Sequence, residues 1–119
     1  METTAKNPVV HFEVLGRDAG ALQSFYSQAF GWPLAPAEGP MEYTMVHFGG
    51  GGIDGGIGKA PQGPGHATFY VGVSDLGATL EQVERLGGTT VQPPTEIPEG
   101  VTFALFADPE GHVVGLVRE

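Results

Sequence analysis

The strongest constraint on this chain is that it repeats itself. Shifted by 57 residues, Phe12 falls on Phe69, Val14 on Val71, Asp18 on Asp75, Gly20 on Gly77 and Ala21 on Ala78; further along, Gly31 falls on Gly88, Pro36 on Pro93 and Glu42 on Glu99. Matches at one offset describe a duplicated unit about half a domain long. The chain is therefore expected to build one supersecondary unit twice within a single domain spanning residues 1–119. Module one covers about residues 8–60 and module two about residues 66–118.

Each module opens on a stretch where apolar and polar residues alternate, Val9–Leu15 and Ala67–Val73. That alternation is the period of a strand. Asp18 and Asp75 follow as candidate N-caps, placed to accept from free amides of a first helical turn. In the first helix Leu22, Phe25, Tyr26, Ala29 and Phe30 share one side; in the second, Leu76, Leu80, Val83 and Leu86 do. Gly31 and the Gly87-Gly88 pair read as the stops. Three shorter strands complete each module: near Leu34, at Glu42–Phe48 and at Ile53–Lys59, then at Thr89–Gln92, Val101–Ala107 and His112–Arg118. Asp108-Pro-Glu-Gly111 suits a type I turn between the last two, and the Pro-containing stretch Ala60–Gly65 reads as the link between modules.

Composition narrows the function. With 119 residues, 40% hydrophobic and 16% charged, the chain suits one ordinary globular core. It has no cysteine, which removes disulfides, thiolate metal sites and a cysteine nucleophile. Fourteen acids against five Lys and Arg give a net charge of −9, and Lys6, Arg17, Lys59, Arg85 and Arg118 are scattered. Nucleic acid and anionic membrane surfaces, which need clustered cations, are not expected partners. Met1–Pro8 is polar and lacks a leader's apolar run, and no stretch approaches the roughly 20 apolar residues of a membrane span. A cytoplasmic protein is the expectation.

Strand parity separates a floor for helices from a face for chemistry. Val10, Phe12 and Val14, like Phe69, Val71 and Val73, should lie under the helices, with Val114 and Leu116 on the same side in the last strand. The opposite face then carries His11, Glu13 and Leu15, with Thr68, Tyr70 and Gly72, and Val113, Gly115 and Val117. A mostly apolar surface with a few polar groups suits a small-molecule cleft. The plainer reading is an antiparallel sheet with one face in water.

The segment His11-Phe-Glu-Val-Leu, then Phe25-Tyr26 and Phe30-Gly-Trp32, together with the closing Asp108-Pro-Glu-Gly-His-Val-Val-Gly-Leu116, resembles the vicinal-oxygen-chelate superfamily of glyoxalase, bleomycin-resistance and extradiol-dioxygenase relatives. The resemblance runs from about Pro8 to Arg118. It implies an α+β fold of two βαβββ modules forming a curved mixed sheet with helices on the outer face. It does not name a reaction, because that superfamily spans lyases, epimerases, dioxygenases and drug-sequestering proteins.

Metal-dependent members take ligands from the first and fourth strands of each module. Those positions fall here on His11, on Gly56 or Gly58, on Thr68 and on Gly115, so one ligand of four survives. No cofactor is expected on that basis. A divalent metal on a shifted set of His11, His66 and Asp54 stays open; two residues along a strand is about 6–7 Å, and all three would have to converge.

His47 and His112 read as structural or solvated histidines, and Trp32 as packing. Gly50, Gly52 and Gly55 form a G-x-G-x-x-G without a following helix, so the glycines read as a flexible hairpin able to close over a ligand.

Three functional readings follow. The first is a metal-independent acid–base enzyme of isomerase, lyase or epimerase type, with His11 and Glu13 exchanging protons, Tyr70 orienting the substrate, and Leu15, His66, Thr68, Val113 and Gly115 lining the ligand site. The second is a non-catalytic protein that sequesters a drug or metabolite, as bleomycin-resistance relatives do. The third is a lyase or dioxygenase with the shifted metal. The resemblance also implies a homodimer.

Overall fold

The computed structural model describes residues 6–119. The opening residues of the Met1–Pro8 stretch, on which the reading of no leader partly rests, lie outside them. Seven strands and two helices run in the order β1 (Val9–Gly16), α1 (Ala19–Phe30), β2 (Thr44–Val46), β3 (Gly55–Lys59), β4 (Gly65–Val73), α2 (Leu76–Arg85), β5 (Thr89–Glu96), β6 (Thr102–Ala107) and β7 (Val113–Arg118). The chain is an α+β protein. No helix among the described residues is long and apolar enough to cross a membrane. Two compact units form, one of His11–Thr68 and one of Phe69–Glu119 with the residues up to Val10.

In the unit His11–Thr68, β1 pairs in parallel with β3, Phe12 opposite Gly55 and Glu13 opposite Gly56, while β2 pairs antiparallel with β3, Thr44 opposite Ile57. Asp18 caps α1 as expected, its Oδ1 accepting from the Ala21 N–H at 3.0 Å, and Gly31 ends the helix in the left-handed region at φ 69°. Val46 and Ile57 are fully enclosed. Gln23 ties α1 down: its Nε2 donates to the carbonyls of Ile57 (2.8 Å) and Glu42 (2.7 Å). The strand expected near Leu34 is reduced to one bridge, Leu34 to Val46. Pro33 and Pro36 flank it and bring no N–H to a ladder. The apolar side of α1 is covered only in part, since Phe25 and Phe30 stand 60% and 63% exposed.

In the other unit the strand order is β4-β7-β6-β5, with β4 and β7 parallel and the rest antiparallel. Val73, Leu76, Leu80, Ala104 and Leu116 form its core. Asp75 caps α2 through the Ala78 N–H at 2.9 Å. Leu86, expected on the buried side, is exposed because α2 ends at Arg85, one residue before it. β5 extends beyond its expected end, and its pairing with β6 slips around Pro93-Pro94, where no N–H can donate. The expected turn forms at Asp108, whose carboxylate accepts from the Glu110 and His112 amides at 2.9 Å each.

Candidate functional site

The polar face of β1 carries the densest chemistry in the unit His11–Thr68. His11 and Glu13 stand two residues apart and point the same way. Between them sits the phenol of Tyr43: His11 Nε2 lies 2.9 Å from Tyr43 Oη, and Tyr43 Oη donates to Glu13 Oε2 at 3.0 Å. All three residues are half-buried.

Tyr43 is held there by its surroundings. It closes a hairpin with Glu38, each amide donating to the other's carbonyl at 3.0 and 2.9 Å. Glu42, just before it, takes a left-handed backbone at φ 48°. The turn is pinned by Gln23 on the Glu42 carbonyl and by the Lys59 amide on the Met41 carbonyl at 2.7 Å. The ring then lies on β3. A Cβ at Gly56 would stand 2.0 Å from Tyr43 Cζ and Oη, and one at Gly58 would stand 2.7 Å from Cδ2. Only glycines admit the ring.

The phenol has one proton. It is donated to Glu13 Oε2, and the His11 ring nitrogen lies within hydrogen-bond reach of the same phenol oxygen. Burial lowers the His11 pKa from its ordinary 6.5, partly offset by the charge of Asp54 and reinforced by His47. The lowered pKa favours the neutral imidazole at pH 7.

Beside this network, Asp54 braces the glycine-rich turn. Its Oδ1 accepts from the Phe48 N–H at 2.8 Å, and Oδ2 pairs with His47 Nδ1 at 3.1 Å. These partners, the Phe48 amide first, hold its carboxyl below the usual carboxylate range. Both oxygens are thus engaged by the turn, and His66 is exposed on β4. Among the described residues no three His, Asp or Glu side chains converge as metal ligands, so the shifted set His11, His66 and Asp54 does not assemble. At the ligand position that the resemblance puts on β3, Gly56 and Gly58 bring no side-chain donor and lie under the Tyr43 ring.

The other expected residues fall as follows. Leu15 is 7% exposed and belongs to the core, so it offers a ligand little surface. Thr68 is half-buried on β4. Tyr70, Val113 and Gly115 belong to the second unit, where the Tyr70 ring covers Gly115 so closely that a Cβ there would stand 2.2 Å from Tyr70 Cδ2. A shallow groove of about 410 Å³ opens near the start of α1 against Val14–Asp18, Leu22 and Pro64; it does not include His11, Glu13 or Tyr43. Tyr43 escaped the sequence reading. The signal available was the pair of glycines at alternate positions of β3, a bare strip that some large side chain had to cover.

Comparison with known proteins agrees with this picture of the fold. The profile of the glyoxalase-like domain matches residues 10–117. A glyoxylase-like domain-containing protein of Didymella fabae is 33% identical over 108 residues, 84% of each chain. A probable lactoylglutathione lyase of Vibrio cholerae is 25% identical, covering 92% of this chain and 89% of that one. Among solved structures, a hypothetical protein of Bacillus halodurans superposes with a TM-score of 0.75 at 13% identity, over 97% of this chain and 96% of that one. Streptomyces coelicolor methylmalonyl-CoA epimerase in complex with 2-nitronate-propionyl-CoA does so with 0.71 at 16%, over 95% and 94%. These structures share the fold of the glyoxalase and bleomycin-resistance proteins, and the chain belongs to the glyoxalase-like domain family.

Proposed function

We propose that this chain is a metal-independent acid–base enzyme that moves a proton at a carbon next to a carbonyl in a small polar substrate. The observation that carries the reading is the continuous His11–Tyr43–Glu13 hydrogen-bonded chain, at 2.9 and 3.0 Å, seated on glycines of β3 that bring no metal donor. A neutral imidazole is a competent base near neutral pH, and a carboxylate one phenol away balances the charge it gains. Relatives named as epimerase and lyase make isomerisation and carbonyl-adjacent proton transfer the fitting chemistry.

The test is deuterium incorporation from D2O into methylmalonyl-CoA and lactoylglutathione, read by mass spectrometry. Exchange above a no-enzyme blank that is lost in folded His11→Gln and Glu13→Gln variants supports the reading. Wild-type exchange in both variants sinks it. Saturable binding with the ligand returned unchanged would make the chain a sequestering protein instead.

A homodimer is part of the same proposal. Residues 19–37 carry no charged side chain, and Phe25 and Phe30 on α1 are largely exposed. In a chain of net charge −9 this is a surface where two copies can approach with little like-charge repulsion. Sedimentation equilibrium should show a dimer that Phe25→Glu dissociates; a wild-type monomer at all concentrations would overturn this part.

A further inference from the structure

We infer that His47 is a second acid–base residue of this site: Asp54 holds its Nδ1–H, and its Nε2 is the atom that exchanges a proton between the substrate and water. The inference rests on the acid–base reading above and adds to it the residue that communicates with solvent.

Strand pairing puts His47 on the polar face. Along β2, Thr44 and Val46 are buried, so the alternate positions Tyr43 and His47 turn to the opposite side. That is the side on which the Tyr43 phenol meets His11 and Glu13. Gly55 on β3 pairs with Phe12 of β1 and with Val46 of β2. The residue before Gly55 is Asp54, the residue before Phe12 is His11, and the residue after Val46 is His47. His11, Asp54 and His47 thus form one row across β1, β3 and β2, and both Asp54 and His47 act electrostatically on His11.

Valence fixes the hydrogen on His47. Asp54 Oδ2 lies 3.1 Å from Nδ1, and the Phe48 amide and His47 favour the ionised carboxyl. A carboxylate only accepts, so Nδ1 carries the hydrogen and the neutral ring has its lone pair on Nε2. The side chain is 63% exposed, and among the described residues no hydrogen bond engages Nε2. Asp54 is itself fixed by the Phe48 N–H on Oδ1 at 2.8 Å and the Phe12 N–H on its carbonyl at 3.1 Å. Asp54 is therefore the positioning residue, and His47 the group that meets the substrate. When Nε2 takes a proton from a substrate C–H, the N–H bond forms as the C–H bond breaks, and the electron pair stays on the substrate as an enolate. The imidazolium faces the Asp54 carboxylate, which balances its charge. The reverse step returns a proton to the carbon after exchange with water. Protons and charge balance with no further reactant. His112 is the internal control: its Nδ1 stands 3.0 Å from Asp108 Oδ2 on an exposed turn, the same local pair without a place in the row.

The experiment is deuterium wash-in from D2O, with methylmalonyl-CoA and lactoylglutathione as probes, in the wild type and in His47→Gln, Asp54→Asn and His112→Gln. A glutamine at position 47 can still donate to Asp54, so the turn stays braced while the base is gone. Wash-in should fall roughly 100-fold or more in His47→Gln, fall less in Asp54→Asn, and keep its wild-type rate in His112→Gln. Free imidazole in the buffer should restore wash-in to His47→Ala, which a purely structural role would not allow. Nitrogen-15 spectra of labelled histidine, assigned with His47→Gln, read the pair without a substrate: His47 should show the Nδ1–H form, and Asp54→Asn should shift it toward Nε2–H. Wild-type wash-in in a folded His47→Gln variant, or an Nε2–H form of His47 in the wild type, overturns the inference while leaving the proposed activity standing. Absent wash-in in the wild type overturns the proposed activity and the role of His47 with it, whichever tautomer is seen.

Discussion

A methyl group on Gly56 is the sharpest structural test of how this site is built. The added Cβ would lie 2.0 Å from Tyr43 Cζ and Oη and 2.1 Å from Cε1. Carbon atoms rest at roughly 3.5–4.0 Å, so the ring must retreat by about 1.5 Å or more. A shift of that size breaks the hydrogen bonds to His11 and Glu13. Overpacking costs about 1–3 kcal/mol, and each half-buried hydrogen bond adds ~1 kcal/mol. Gly56→Ala should therefore lower stability by about 3–5 kcal/mol, seen as a drop of roughly 10 °C or more in Tm for a domain of this size. The assay is urea and thermal unfolding in a double-mutant cycle with Tyr43→Ala. If the clash with Tyr43 is the cause, Gly56→Ala should cost little in the Tyr43→Ala background, with a coupling of at least ~1 kcal/mol. A cost of the same size in both backgrounds would place the strain elsewhere and refute the seating of the ring on this glycine.

Other outcomes follow from the same geometry. Asp54 titrates below its ordinary 3.8 in the folded chain, because the Phe48 amide and His47 favour its ionised form. Its contribution is thus fully present above that value and lost as pH falls through the lowered one; Asp54→Asn should flatten the acid limb of stability against pH. His11 is likewise lowered, by burial, so stability should fall as pH drops below 6.5 toward the lowered value, and His11→Gln should remove that slope in the same melts. Gly20 is a contrast to Gly56. A Cβ there would meet only Asp18 Oδ1 at 3.7 Å, so Gly20→Ala should stabilise α1 by a few tenths to about 1 kcal/mol in chemical denaturation.

Much of the fold is local, and local signals carried it. Asp18 and Asp75 cap the two helices because a short carboxylate ahead of an apolar periodic run reaches the amide three residues on. The alternation in β1 placed His11 and Glu13 together because side chains two apart share a face. The misses are tertiary. Phe25 and Phe30 satisfy the helical period yet remain exposed, since periodicity says which residues share a side and not how far the covering surface extends. The Leu34 segment has strand-like residues but lacks the amides for a ladder. Tyr43 is 30 residues from Glu13 and 32 from His11, and it reaches them only through a hairpin whose direction depends on a left-handed Glu42.

The glycine-rich run shows why composition misled. Gly49–Gly58 reads as one flexible hairpin, but it performs two opposite tasks. Gly49 and Gly50 take positive φ, 62° and 90°, and make a turn that Asp54 braces through the Phe48 amide. Gly55, Gly56 and Gly58 are buried in β3 and serve by what they lack. A Cβ at Gly55 would stand 2.2 Å from the Phe12 ring, as one at Gly56 would meet Tyr43. In the first task glycine permits a backbone that other residues resist; in the second it permits a neighbour to come close. Only the second builds the site, and a strand poor in side chains is what lets two aromatic rings descend onto it. The glycines of β3 are thus the ones that admit the phenol linking His11 to Glu13, and any side chain placed at Gly56 would expel Tyr43 from that line.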